Sequence, residues 1–361
     1  MSKTVNILTI HDEPNYGALL QAYALYHTVE ILGCTPRMIN LSLKFRLREY
    51  NLLNRILIAF NNWKNGYNYC NNIARAFCRT YEPNTTRQFC TIEQLRNYNW
   101  NSDDYFLLGS DQIWNTEITH NLAKAYTFSF LPDECIKRYA YASSFGNIKD
   151  EKKRAKELEV QSSLAKFKGI GVREKFGVEF LKTQGIESVE VIDPTLLLKD
   201  YSFLLPRPIE YNNCLLYLAL GEDSEMNTFV TQLSQMTKLT INKHYGYLQP
   251  SRKVNKQFLS VQNWLYYIAS SKLVVTDSFH AMVFSIMFHR QFYVFVSHPS
   301  KVYRINNILK RLGIEGRVVT NLNQVNLDST IDYAEVAEKL DDLRISSLNY
   351  LSQILGLGNI I

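Results

Sequence analysis

Lys272 to His289 reads KLVVTDSFHAMVFSIMFH, and this stretch decides the fold class. Leu273, Val274 and Val275 form a short aliphatic run of the kind seen in parallel strands buried on both faces, and Ala281 to Phe288 is too uniformly apolar for an exposed helix. A buried strand therefore runs straight into a buried helix, with Thr276, Asp277, Ser278 and His280 at the joint. Ser278 is suited to cap the helix, which turns the free N–H groups of the first turn, and the positive end of the helix dipole, toward the strand's carboxyl edge. Phosphate or carboxylate is favoured in such a place. His280 adds a side chain that moves a proton near neutral pH, although a lone His beside an apolar helix is more often structural.

The same grammar recurs on the N-terminal side. Val5 to Ile10 reads as a strand, His11 to Gly17 as a polar loop, Ala18 to Leu32 as a helix closed by Gly33, and Arg37 to Leu41 as the next strand. Tyr105 to Leu108 leads into Gly109-Ser110-Asp111-Gln112-Ile113-Trp114-Asn115, and Tyr139 to Gly146 repeats the scheme with small residues. A charged helix is predicted over Lys149 to Lys166, then a strand Gly169 to Val172 ending in Arg173-Glu174-Lys175, and a strand Val189 to Ile192 ending in Asp193-Pro194-Thr195. Strands of one parallel sheet with right-handed crossovers end at one edge, so these polar turns imply a single cleft.

Length makes two domains the default, since 361 residues exceed what one core usually supports. Pro206 and Pro208 mark the boundary, giving residues 1–205 as a first domain with a helical insertion at about 42–100, and 206–330 as a second. The second domain's strands are read at Cys214 to Leu220, Lys238 to Asn242, Leu273 to Thr276, Gln291 to Val296 and Gly313 to Thr320. Residues 331–361 are expected to form a helix that crosses back and braces the first domain.

The composition, 46% hydrophobic and 20% charged, is that of an ordinary globular protein. Six cysteines are scattered with no C-x-x-C pair, so neither a zinc site nor a disulfide framework is expected. No basic leader, and no run near the roughly 20 apolar residues a spanning helix needs, is visible, so a cytoplasmic protein is expected. A net charge of +6 without a recognition motif argues against nucleic acid. Between Arg37 and Arg87, however, Lys44, Arg46, Arg48, Arg55, Lys64, Arg75 and Arg79 alternate with apolar and aromatic residues. Either these are solvated helices with snorkelling stems or they form a surface that rests on anionic lipid at the inner membrane face.

Six stretches in order resemble the polysaccharide pyruvyl transferase family: Asn15 to Leu25, Gly109 to Asn115, Ala142 to Gly146, Val172-Arg173-Glu174, Asp193-Pro194-Thr195 and Thr276 to His280. The resemblance implies two Rossmann-like domains arranged as in GT-B glycosyltransferases, with the active site between them. It implies transfer of the pyruvate unit of phosphoenolpyruvate onto two sugar hydroxyls as a cyclic ketal, with phosphate released. The residues themselves show no metal constellation, and no cofactor besides the donor substrate is expected. The family's donor-binding Arg and the His of its Arg-Leu-His motif match Arg173 and His280. Ser278 and Phe279 stand where many members have Arg-Leu, so a cation is missing. Lys301 and Arg304 are the candidates to replace it, together with the helix N-terminus.

On that basis His280 is the expected general acid for the donor's methylene carbon, with Arg173, Ser278, Phe279, His280, Lys301 and Arg304 around the donor. Asp111 is the expected base for the sugar hydroxyls, with Asp277 in reserve, though an Asp in such a turn as often only caps it. Asn15, Gly17, Asp111, Gln112 and Trp114 are expected to meet the acceptor; for Trp114, stacking on a sugar and packing in the core remain open. Asp193 reads as a turn-former. The expected acceptor is a hexose, galactose by preference, in a lipid-linked repeat unit of a surface polysaccharide. Two alternatives stand beside this reading: a nucleotide-sugar glycosyltransferase on the same fold, and a non-catalytic partner in a polysaccharide assembly complex.

Overall fold

The computed structural model describes residues 2–43, 67–133, 137–146, 151–246, 259–297 and 302–358. Two all-parallel sheets carry the chain. The first has the order β2-β1-β3-β4-β5-β6, formed by Thr4–Leu8 (β1), Thr35–Met38 (β2), Tyr105–Leu108 (β3), Arg138–Ser143 (β4), Gly169–Val172 (β5) and Val189–Glu190 (β6). The second has the order β11-β10-β9-β7-β8, formed by Cys214–Ala219 (β7), Thr240–Tyr245 (β8), Leu273–Thr276 (β9), Gln291–Phe295 (β10) and Val318–Val319 (β11). In each sheet the chain leaves its first strand toward one side and returns on the other. The switch points lie between β1 and β3 and between β7 and β9, which is where open α/β sheets hold ligands.

The helix Tyr16–Ile31 (α1) fills the space between the sheets. Of its 16 residues, 13 are buried, because one side packs on the first sheet and the other meets the second domain. Tyr16 stacks on Trp264 at 4.9 Å and donates to the Leu259 carbonyl at 2.9 Å, while Tyr201 packs edge-on against Phe284. One continuous apolar cluster thus runs from Val5 and Leu19 through Leu196 and Tyr201 to Met282 and Val294. Such an interface resembles a core more than a hinge.

The C-terminal helix Tyr333–Ile354 starts on the second domain, where Tyr333 donates to the Arg290 carbonyl, and ends on the first. Arg344 Nε donates to the Leu196 carbonyl at 2.9 Å, Ser347 Oγ accepts from Ile192 N at 3.1 Å, and Tyr350 donates to the Ala140 carbonyl at 3.2 Å.

Several elements differ from their sequence expectation. Within Lys149 to Lys166, the described residues form two short helices, Glu151–Glu157 and Val160–Leu164, separated at Glu159 in the left-handed region. The break lets both Leu158 and Val160 reach the core. The strand expected to Ile192 pairs only over Val189–Glu190, because Ile192 gives its N–H to Ser347 instead. The last strand shrinks to Val318–Val319 after a 3₁₀ turn. In the segment 42–100, the helices Tyr67–Tyr81 and Ile92–Arg96 flank a stretch that returns to the sheet edge, with Thr86 N bonded to Met38 O and Phe89 N to Asn40 O. Lys44, Arg46, Arg48, Arg55 and Lys64 lie outside the described residues. Arg37 pairs with Asp104 at 2.8 Å and bonds Asn6 at 2.6 Å. No described helix is long and apolar enough to cross a membrane.

Candidate functional site

The turns after β1, β3, β5 and β6 converge on the turn after β9. At the end of β9, Ser278 caps the helix Phe279–Met287, accepting from Ala281 N at 3.4 Å, and Asp277 accepts from Leu220 N at 2.7 Å. Asp277 therefore ties the two strands at the second switch point. The cap aims Phe279 and His280 at the first domain.

Arg173, at the end of β5, is the hub. Its side chain is 3% exposed; Nε donates to Glu174 Oε1 and Nη1 to Asp193 Oδ2, both at 2.9 Å. The face of Phe279 covers the guanidinium at 4.9 Å, a cation–π contact across the domain junction. Burial works against the charge, yet Glu174, Asp193 and Asp111 outweigh it, so the Arg173 pKa is raised. Nη2 is buried with no hydrogen-bond partner among the described residues. Two carboxylates hold Nε and Nη1, so Nη2 is the guanidinium nitrogen left without a partner among the described residues.

Asp193, read from sequence as a turn-former, is the second centre. Oδ1 accepts from Thr195 N and Thr195 Oγ1, and Oδ2 from Ser110 Oγ as well as from Arg173. Against full burial, the charges of His280 and Arg173 and these hydrogen bonds lower its pKa, so it is ionised. Glu174 is held by Ser144 Oγ at 2.9 Å. Ser110, Glu174 and Asp193 were not singled out as site residues; the polar triplets at the ends of β3, β5 and β6 were the available signal.

His280 approaches this cluster from the second domain. Its Nε2 lies 3.9 Å from Asp193 Oδ2 and is buried with no hydrogen bond among the described residues. Burial pulls the imidazole pKa below its usual value; Asp193 and Asp111 push it up, and Arg173 and Arg304 push it further down. The other face of the ring rests on Gly17, where an added Cβ would fall 2.0 Å from Nδ1. The space expected for a sugar above Gly17 is therefore occupied by His280. Asn15 caps α1, accepting from Gly17 N and Ala18 N.

Asp111 is half-buried with φ +68°, a left-handed conformation that Asp tolerates better than most residues. Its carboxylate acts on both Arg173 and His280. Such a conformation held at a cleft is a reason to look for function there. Gln112 bonds Asn115 beside Gly146. Trp114 is a correction: it is fully buried, packs on Phe145 at 4.8 Å and donates from Nε1 to the Tyr126 carbonyl, so it has no face for a sugar. Arg304 is half-buried within electrostatic reach of His280, and Lys301 lies outside the described residues. No group of three or more His, Cys, Asp or Glu among the described residues could hold a metal.

Residues 15–299 match the family model of polysaccharide pyruvyl transferases. The chain belongs to this family. The matched region holds every site residue named above except Lys301 and Arg304, which follow it. Comparison with curated proteins gave no match. Among solved structures, the chain is similar to the S. aureus MnaA–UDP co-structure at 13% identity and a TM-score of 0.56, covering 99% of this chain and 98% of that one. It is also similar to a putative UDP-N-acetylglucosamine 2-epimerase from Listeria monocytogenes at 12% identity and a TM-score of 0.52, covering 98% and 91%. At such identities the likeness is one of fold.

Proposed function

We propose that the protein moves the pyruvate unit of phosphoenolpyruvate onto two hydroxyls of one sugar, forming a cyclic ketal and releasing phosphate. The observation that carries this reading is the convergence of Arg173, whose Nη2 has no partner among the described residues, and His280 on Asp193 across the domain junction. Arg173 Nη2 and Arg304 bind the donor's anionic groups. His280, protonated once the donor is bound, gives its proton to the methylene carbon and makes the central carbon electrophilic. The first hydroxyl adds there and yields its proton to Asp111, which releases it to solvent as the proton His280 took up from solvent is consumed. The second hydroxyl displaces phosphate, whose leaving oxygen carries away one proton, so that donor plus two hydroxyls balances ketal plus hydrogen phosphate. The acceptor is a hexose in a lipid-linked repeat unit of a surface polysaccharide, met by a cytoplasmic enzyme at the inner membrane face.

The test has two steps. Thermal unfolding is followed with phosphoenolpyruvate, and separately with UDP as control; a ligand at a hundred times its dissociation constant adds about 2.7 kcal/mol. Phosphate release and a new ketal methyl resonance are then followed with hexose-containing lipid-linked acceptors. Stabilisation by phosphoenolpyruvate, lost in Arg173→Lys, together with the ketal signal supports the reading. Stabilisation by UDP alone moves the assignment to a nucleotide-sugar enzyme, and stabilisation by neither favours a non-catalytic partner.

A further inference from the structure

With His280 neutral, three carboxylates, Asp111, Glu174 and Asp193, surround one buried guanidinium, Arg173, and Arg304 is the second cation within reach. This charge balance is unfavourable for a small multiply charged anion. It becomes favourable when one more positive charge is placed between the carboxylates and the anion. The group in that position is the His280 imidazole, whose Nε2 faces Asp193 Oδ2 across 3.9 Å. That gap is too long for a hydrogen bond, so Nε2 is not tied to the carboxylate but lies within reach of its charge. Asp193 itself is immobile, since Ser110, Arg173, Thr195 N and Thr195 Oγ1 all donate to it. Gly17 lies against the other side of the ring, so the imidazole is seated between two first-domain groups.

We propose that Asp193 is the positioning residue of the reaction: its carboxylate, 3.9 Å from Nε2, is the counter-charge against which His280 takes up a proton as the donor binds, and it leaves the Nε2 proton free for the donor. The inference rests on the pyruvyl transfer reading. It differs from a turn-forming role because only Oδ1 serves the turn, while Oδ2 serves Arg173 and the approach to His280. The groups facing His280 are the α1 backbone at Gly17, Asp111 after β3, Arg173 after β5, Asp193 after β6, and Arg304 on the helix Val302–Leu312. Of the carboxylates, Asp193 is the one paired with the ring at 3.9 Å.

The experiment is calorimetric titration of wild type and Asp193→Asn with phosphoenolpyruvate at pH 7.5 in two buffers of different ionisation enthalpy, joined to an NMR titration of His280. Ser347→Ala, which removes the acceptor for Ile192 N beside Asp193, serves as a variant with a purely structural defect. Wild type is expected to take up close to one proton per donor bound. In Asp193→Asn the uptake is lost, the His280 midpoint falls by about one pH unit, and kcat falls about a hundredfold. Ser347→Ala lowers the unfolding midpoint and leaves the His280 midpoint in place. Donor binding without proton uptake in wild type, or an unchanged His280 midpoint in Asp193→Asn, overturns the inference and leaves the pyruvyl transfer reading standing. Absence of donor binding to wild type overturns that reading instead.

Discussion

Gly17 and His280 share one volume: a Cβ built on Gly17 would lie 2.0 Å from His280 Nδ1, with two further ring atoms inside 3 Å. The first turn of α1 and the first turn of the helix Phe279–Met287 therefore touch through a glycine and an imidazole. Gly17→Ala must push the ring away from Asp193 or part the domains. Misplacement of about 1 Å costs roughly a hundredfold in rate, and overpacking costs about 1–3 kcal/mol. Both kcat/KM and the unfolding midpoint should fall, and an active, fully stable Gly17→Ala protein would contradict the packing.

Arg173 neutralises two buried carboxylates at once. Arg173→Ala leaves Glu174 and Asp193 without their cation, which costs about 3–5 kcal/mol in comparable buried pairs. The loss should appear in urea unfolding as a lower midpoint with unchanged slope, and Arg173→Lys should recover part of it. A variant as stable as wild type would show that Ser110, Ser144 and Thr195 satisfy the carboxylates unaided.

Trp114 separates packing from recognition. Trp114→Phe keeps an aromatic ring against Phe145 but strands the Tyr126 carbonyl that Nε1 bonds. A destabilisation of about 1–3 kcal/mol is expected from the unpaired carbonyl and lost volume. The acceptor KM should not move, and a tenfold rise in it would return Trp114 to the acceptor site.

Glu82 gives a pH signature away from the site. Its carboxyl is fully buried with no hydrogen bond among the described residues, and burial, then Asp12, pushes its pKa well above the usual 4.5. The unfolded chain ionises first, so this group's contribution to stability is lost as pH rises from about 4.5 toward the folded value. In Glu82→Gln, the unfolding midpoint relative to wild type should therefore climb as pH rises above about 4.5. A flat difference would mean that Glu82 is solvated or paired.

Much of this protein was legible in its sequence because the signals are local. Aliphatic runs ending in polar turns, such as Leu273 to Asp277 or Gly169 to Glu174, specify buried parallel strands, and the motifs at their carboxyl ends carry the family resemblance. The helix cap at Ser278 is likewise written within three residues, whereas the cap at Asn15, read as loop, starts its helix at Tyr16 rather than at Ala18.

Tertiary structure alone decided which polar groups meet and which are withdrawn. Asp193 looks like any Asp-Pro turn until Ser110, Arg173 and His280 converge on it from three other elements. Gly17 looks like space for a ligand until a side chain 263 positions later fills it. Trp114 sits among site motifs in sequence and in the core in space. Periodicity and capping depend on neighbours along the chain, whereas a charge network across a domain junction depends on distances that no stretch of sequence encodes.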